Sequence, residues 1–176
     1  YSSEDSIQYR PMILINYTDV NSVSVSPVSS NTDADTQIQF SHILTNAVGG
    51  SISENVTWSS SDGTIDSNGL FTPEFVGTHN ITACFGVICD IQTVTVTPGQ
   101  PTTLVVEDVQ ETITADQSFT IYASVEDQHG NTVPGMTITY TPSNGSMIGT
   151  TFYPHRSGSQ SVSVEWMGQA VTVNIE

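Results

Sequence analysis

Asp62-Gly63-Thr64-Ile65-Asp66-Ser67-Asn68-Gly69 gathers oxygen-bearing side chains on one short stretch, the donor type a calcium ion takes. The stretch lacks the ligand spacing and the terminal glutamate of an EF-hand loop. Farther along, Asn144-Gly145-Ser146-Met147-Ile148-Gly149 follows a similar pattern with no acid in it. Turn chemistry accounts for both segments, since Asp, Asn, Ser and Gly each favour tight turns. Asp33 with Asp35, and Glu107 with Asp108, are the other acidic pairs that invite a cation. The expectation is no cofactor, with calcium as the one alternative.

Cys84 and Cys89 frame Phe85-Gly86-Val87-Ile88. On a hairpin they face each other across a tight turn, where facing Cα atoms come within disulfide range. The expectation is a disulfide at the hairpin tip, which implies an oxidising compartment. Two reduced, half-buried thiols are the alternative. Two ligands at this spacing, with no partners, do not make a metal site. The four histidines, His42, His79, His129 and His155, have neither triad nor metal-ligand spacing. His42 falls on the apolar face of a strand and reads as a core histidine. His129, in a turn, and His155, after Pro154, read as exposed. No catalytic set emerges, and the chain is expected not to be an enzyme.

Asn16, Asn55, Asn80 and Asn144 each open an Asn-x-Ser/Thr sequon, which matters if the chain is exported. Asp and Glu total 18 against two basic residues, Arg10 and Arg156, for a formal charge of −16. That charge repels phosphate backbones, so no nucleic-acid partner is expected. Solubility and a saline source, where salt screens the self-repulsion, both fit it. No stretch approaches the ~18 apolar residues of a membrane span, so no membrane insertion is expected.

The elements that must position these residues repeat. Phe71-Thr72-Pro73 with Gly77 and Thr78 recurs 81 residues later as Phe152-Tyr153-Pro154 with Gly158 and Ser159. Trp58 with Ser61-Asp62-Gly63-Thr64-Ile65 recurs 82 residues later as Tyr140 with Ser143-Asn144-Gly145-Ser146-Met147. Phe40 matches Ile121, Leu44 matches Val125, Val23 matches Leu104 and Val25 matches Val106. A period near 80 is too long for a solenoid and means two copies of one domain. Period-two alternation recurs throughout, and helical periodicity is absent. Ile38, Phe40, His42 and Leu44 share one strand face; Phe119, Ile121, Ala123 and Val125 share its counterpart. Short strands with turns every ~8–12 residues read as a sandwich or barrel. Ile91 with Val94 and Val96, and Val171 with Val173 and Ile175, are expected to close the two copies.

Val56-Thr57-Trp58-Ser59-Ser60-Ser61-Asp62, with Ile65-Asp66-Ser67-Asn68-Gly69-Leu70 and Gly77-Thr78, resembles bacterial Ig-like domains of the second group. Ala123-Ser124-Val125-Glu126-Asp127, with Gly130-Asn131, Val133-Pro134-Gly135 and Ile138-Thr139-Tyr140, resembles the invasin- and intimin-type group. The resemblance covers most of residues 20–176. It implies an all-β fold of two tandem Ig-like β-sandwich domains, with roles as stalks, spacers or adhesive tips of surface proteins. The expected organisation is an N-terminal extension over 1–19, sandwich one over 20–97, a short stiff linker over 98–101 and sandwich two over 102–176. The chain has no lysine, so the Lys–Asn isopeptide cross-link of some surface Ig-like domains cannot form.

Ile13 and Ile15 stand 81 residues before Val94 and Val96, the last strand of domain one. Residues 12–17 thus look like the final strand of an earlier copy. Ile7, Tyr9, Ile13, Ile15 and Tyr17 share one parity and suit a donor strand for a neighbour's sandwich. An excised fragment of a longer array is the alternative. The expected function is a non-enzymatic extracellular structural protein at the cell surface, a filament or pilus subunit or a stalk segment of an adhesin. Its expected partners are copies of itself or neighbouring Ig-like domains. The rival reading is a carbohydrate- or ligand-binding accessory Ig-like module of a secreted protein, with cell-surface glycans as a partner and Tyr9, Phe75, Tyr122 and Tyr153 as the stacking candidates.

Overall fold

The computed structural model describes residues 19–107 and 112–176, and every regular element among them is a β-strand. The N-terminal half holds β1 (Ser22–Ser26), β2 (Ser30–Asp33), β3 (Ile38–Gln39), β4 (Ser41–Thr45), β5 (Ser51–Ile52), β6 (Thr57–Ser60), β7 (Thr64–Ile65), β8 (Leu70–Thr72), β9 (Gly77–Phe85) and β10 (Ile88–Thr97). The C-terminal half holds β11 (Thr103–Val106), β12 (Phe119–Thr120), β13 (Ala123–Glu126), β14 (Thr139–Pro142), β15 (Ser146–Ile148), β16 (Thr151–Tyr153), β17 (Gln160–Trp166) and β18 (Gln169–Ile175). Buried apolar residues form two clusters, one from Val20 to Val96 and one from Leu104 to Ile175.

In the first half, β3 and β4 are nearly continuous. Phe40 stands between them, and its N–H donates to Gly69 C=O at 2.8 Å. β4 pairs antiparallel with β1 and β5, β3 pairs with β8, and β8 pairs with β7. The facing layer runs β2-β10-β9-β6, with β2 parallel to β10. The chain therefore changes layers between β1 and β2, at Pro27, which has no N–H for a ladder. β1, β3–β4, β7 and β8 on one layer, with β6, β9 and β10 on the other, match the seven strands of the immunoglobulin arrangement. Alternation explains the packing. Val23 and Val25, Ile81 and Ala83, and Val94 and Val96 turn inward, and the residues between each pair stay outside the core. Trp58 on β6 sits 6.5 Å from Phe40, which meets Phe71 edge-on at 6.5 Å. Edge-on contact suits the ring quadrupoles and adds to the burial of large apolar area.

The second half repeats this plan. β13 pairs with β11, β12 with β16, β16 with β15, and β17 lies between β14 and β18. Ile113 N–H donates to Glu176 C=O at 2.8 Å, where β2 meets β10 in the first half. Ile121, Val125, Phe152, Val162 and Val164 fill this core. Both closing strands form as expected, with their first apolar residues outside the core: Ile91 is 57% exposed, at odd spacing from the buried Val94 and Val96, and Val171 is 38% exposed near the start of β18. Two turns demand glycine. Gly63 (φ +67) and Gly145 (φ +105) are left-handed, and a Cβ at either would lie 2.5 Å from a backbone oxygen, that of Thr72 or Tyr153.

Candidate functional site

The most organised polar cluster in the described residues lies where the two halves meet. Asp127 follows the strand β13 and opens the turn Asp127-Gln128-His129-Gly130-Asn131. Asp127 Oδ1 accepts from the N–H groups of His129 and Asn131, both at 2.9 Å, which folds the turn back on its own carboxylate. Its Oδ2 accepts from Gly99 N–H at 2.8 Å and from Asn131 Nδ2 at 2.9 Å. Gly99 belongs to the linker, so one carboxylate ties linker and turn together. Asn131 extends the tie. Its Nδ2 donates to Glu74 C=O at 2.8 Å and its Oδ1 accepts from Val76 N–H at 3.0 Å, both in the loop between β8 and β9. Asp35, in the turn between β2 and β3, accepts from Gln100 N–H at 2.6 Å and from Gln128 Nε2 at 2.8 Å. His129 Nε2 stands 3.7 Å from Asp35 Oδ1. A Cβ at Gly99 would collide with the Asp35 carboxylate, so the linker needs glycine there to lie so close.

Asp127 is 3% exposed and Asn131 is 8% exposed. Burial acts to raise the Asp127 pKa. The Asn131 side chain and the N–H groups of Gly99, Asn131 and His129 outweigh it and hold the carboxyl below its ordinary 3.8. A buried ion with every lone pair directed at a donor is a rigid fixture, because each donor must move to release it. The cluster binds the protein to itself.

The other predicted residues are placed as follows. Cys84 and Cys89 are bonded and face each other across the β9–β10 hairpin, with Cα atoms 4.1 Å apart. The matching hairpin in the second half has Glu165 opposite Ala170 instead. Asn55 and Asn80 are exposed and Asn144 is half-buried. Asn16 and the proposed donor-strand residues Ile7, Tyr9, Ile13, Ile15 and Tyr17 lie outside the described residues. Asp66 takes its donors from the backbone: Leu70 N–H at 2.9 Å and Asn68 N–H at 2.8 Å. The Leu70 amide is the main cause holding Asp66 below 3.8. Among the described residues no three His, Cys, Asp or Glu side chains are grouped to hold a metal. His42 is half-buried, with Nε2 3.0 Å from Glu54 C=O and its ring edge-on to Trp58 at 5.9 Å. His155 is exposed, as expected. His129 is not: it is half-buried against Asp35, because its turn is covered by the first half. Phe75 in the β8–β9 loop, Tyr122 between β12 and β13, and Tyr153 on β16 are exposed at 47%, 59% and 40%, and none takes part in an aromatic contact among the described residues. No helix of the described residues is long and apolar enough to cross a membrane.

Sequence reading missed the joint. Its signal was present: the turn Asn46-Ala47-Val48-Gly49-Gly50 is matched by Asp127-Gln128-His129-Gly130-Asn131, and only the second copy has an acid at the first position and a side-chain amide at the last.

The strand pairings define an immunoglobulin-like β-sandwich fold. No family model matches the chain, and no curated protein matches it. Among solved structures, domains 4 and 5 of the S-layer protein SbsC are similar over 90% of this chain and 98% of that one, at 17% identity and TM-score 0.45. The Escherichia coli adhesin FdeC is similar over 88% of this chain and 63% of its own, at 18% identity and TM-score 0.41. The Yersinia pseudotuberculosis adhesin InvE is similar over 87% and 58%, at 14% identity and TM-score 0.42. The chain thus spans about three-fifths of each of these two adhesin chains.

Proposed function

We propose that this chain is a non-enzymatic, extracellular structural unit: two tandem Ig-like domains, about 20–97 and 102–176, held at a fixed angle. It serves as a filament subunit or as a stalk segment of a surface adhesin. The observation that carries this reading is the buried Asp127–Asn131 joint. Relative motion is the default between two domains of one chain unless something ties them. Here a buried carboxylate and amide stitch the linker, the β8–β9 loop and the next domain into one piece. The disulfide fits an oxidising compartment, and the charge of −16 keeps a crowded surface array from collapsing onto itself.

Filament assembly takes place, in this proposal, by donation of the N-terminal strand to a neighbour's sandwich. Such an interface is head-to-tail and propagates. Deleting residues 1–18 separates the two structural roles. Electron microscopy and light scattering should show fibres for the full chain and monomers for the truncated one. A full-length chain that stays monomeric at high concentration, or assembly unchanged by the deletion, contradicts donation and leaves the stalk segment.

A further inference from the structure

The joint has two parts, a turn that plugs and a socket that receives, and each has a second copy on the molecule. The second plug is Asn46–Gly50. Asn46 Oδ1 accepts from Val48 N–H at 3.1 Å and Gly50 N–H at 2.8 Å, repeating the bonds of Asp127 to His129 and Asn131. Gly50, however, stands where Asn131 stands, so this plug has no amide to reach across with.

The second socket lies at the far end of the second half. The filled socket presents Glu74 C=O, Val76 N–H and the Asp35 carboxylate. Eighty-one residues on stand His155, Ser157 and Asp116. Two bonds of the scaffold recur, while Asp116 differs from Asp35 in that its Oδ1 already accepts from Thr114 Oγ1 at 2.5 Å. His79 Nε2 lies 2.8 Å from Phe75 C=O in the first, and Gln160 Nε2 donates to Arg156 C=O at 2.6 Å in the second. Thr36 N–H donates to Asp33 C=O at 3.3 Å, and Gln117 N–H to Thr114 C=O at 2.9 Å. Ile113, Ala115, Pro154, Arg156, Ser157 and Gln160 line a shallow pocket between the two loops. Gln160 is 8% exposed, yet its Oε1 has no hydrogen-bond partner among the described residues. Nor does a described residue bond Ser157 N–H or His155 C=O.

We infer that this end of the second half is a docking socket for a further Ig-like domain whose turn carries Asp and, four residues on, Asn. The incoming Asn donates to His155 C=O and accepts from Ser157 N–H, and Asp116 takes the side-chain donor that follows the turn's Asp. The inference rests on the tandem reading above. A second copy of this chain, offering its own first-half turn, brings Gly50 and leaves the pair of amide bonds unmade.

The test appends residues 96–176 after Glu176, which keeps register because Glu176 matches Thr95. Amide hydrogen exchange is then read at Ser157 and Val76. Exchange at Ser157 should slow by at least about tenfold relative to the unextended chain, the effect of one ordinary hydrogen bond. Asn131→Ala placed only in the appended copy should restore the faster rate. Unchanged exchange at Ser157 with Val76 still protected overturns the socket and spares the existing joint. Val76 exchanging freely in the unextended chain overturns the joint itself and the socket with it.

Discussion

Asp127→Ala should cost about 3 kcal/mol of stability and uncouple the two halves, as the loss of several bonds to a buried carboxylate implies. The substitution removes the acceptor of four N–H groups, those of Gly99, His129, Asn131 and the Asn131 side chain. Each donor is then left in a dry site. Asn131→Ala should cost less, about 1–2 kcal/mol, because its Glu74 and Val76 partners lie in a loop that can rehydrate. Thermal unfolding followed at neutral pH checks both values. The pH dependence has a definite sign. Asp127 has a folded pKa below 3.8, so its stabilisation is fully present above the unfolded value, near pH 4, and fades as pH falls through the folded one. Between neutral pH and about pH 3 the native chain should therefore lose stability that Asp127→Ala does not lose, the mutant having no such carboxylate to protonate. A mutant whose acid sensitivity equals that of the native chain contradicts this role for Asp127.

Phe71→Ala and Phe152→Ala should each cost about 3–5 kcal/mol, and each should unfold its own half first. Both rings are fully buried, each in a separate cluster. If the halves are independent domains, Phe152→Ala shifts the transition reported by the second core and leaves the Trp58 environment of the first intact. Calorimetry should then show two transitions where the native chain shows closely spaced or merged ones. A single transition that moves as one for both substitutions would mean one cooperative unit, contrary to the domain division at 98–101.

The reading from sequence reached the sandwich because alternation is a local signal. Val94 and Val96, or Val162 and Val164, declare an inward face without reference to anything distant, and the repeat supplies a second witness for each. The hairpin disulfide was legible for the same reason, since Cys84 and Cys89 are neighbours across one turn. The joint was not, because its partners are far apart in sequence. Asp127 meets Gly99, and Asn131 meets Glu74 and Val76. Nothing in the turn 127–131 alone distinguishes a solvated Asx turn from a buried one. His129 was misread on the same ground, as burial by another half has no local signature.

The stiffness of the joint is the centre of this account, and residual dipolar couplings measured on both halves of the native chain at neutral pH test it most directly. One alignment tensor should fit the couplings of residues 20–97 and 102–176 together, and Asp127→Ala should split it into two. Two unequal tensors in the native chain would contradict it.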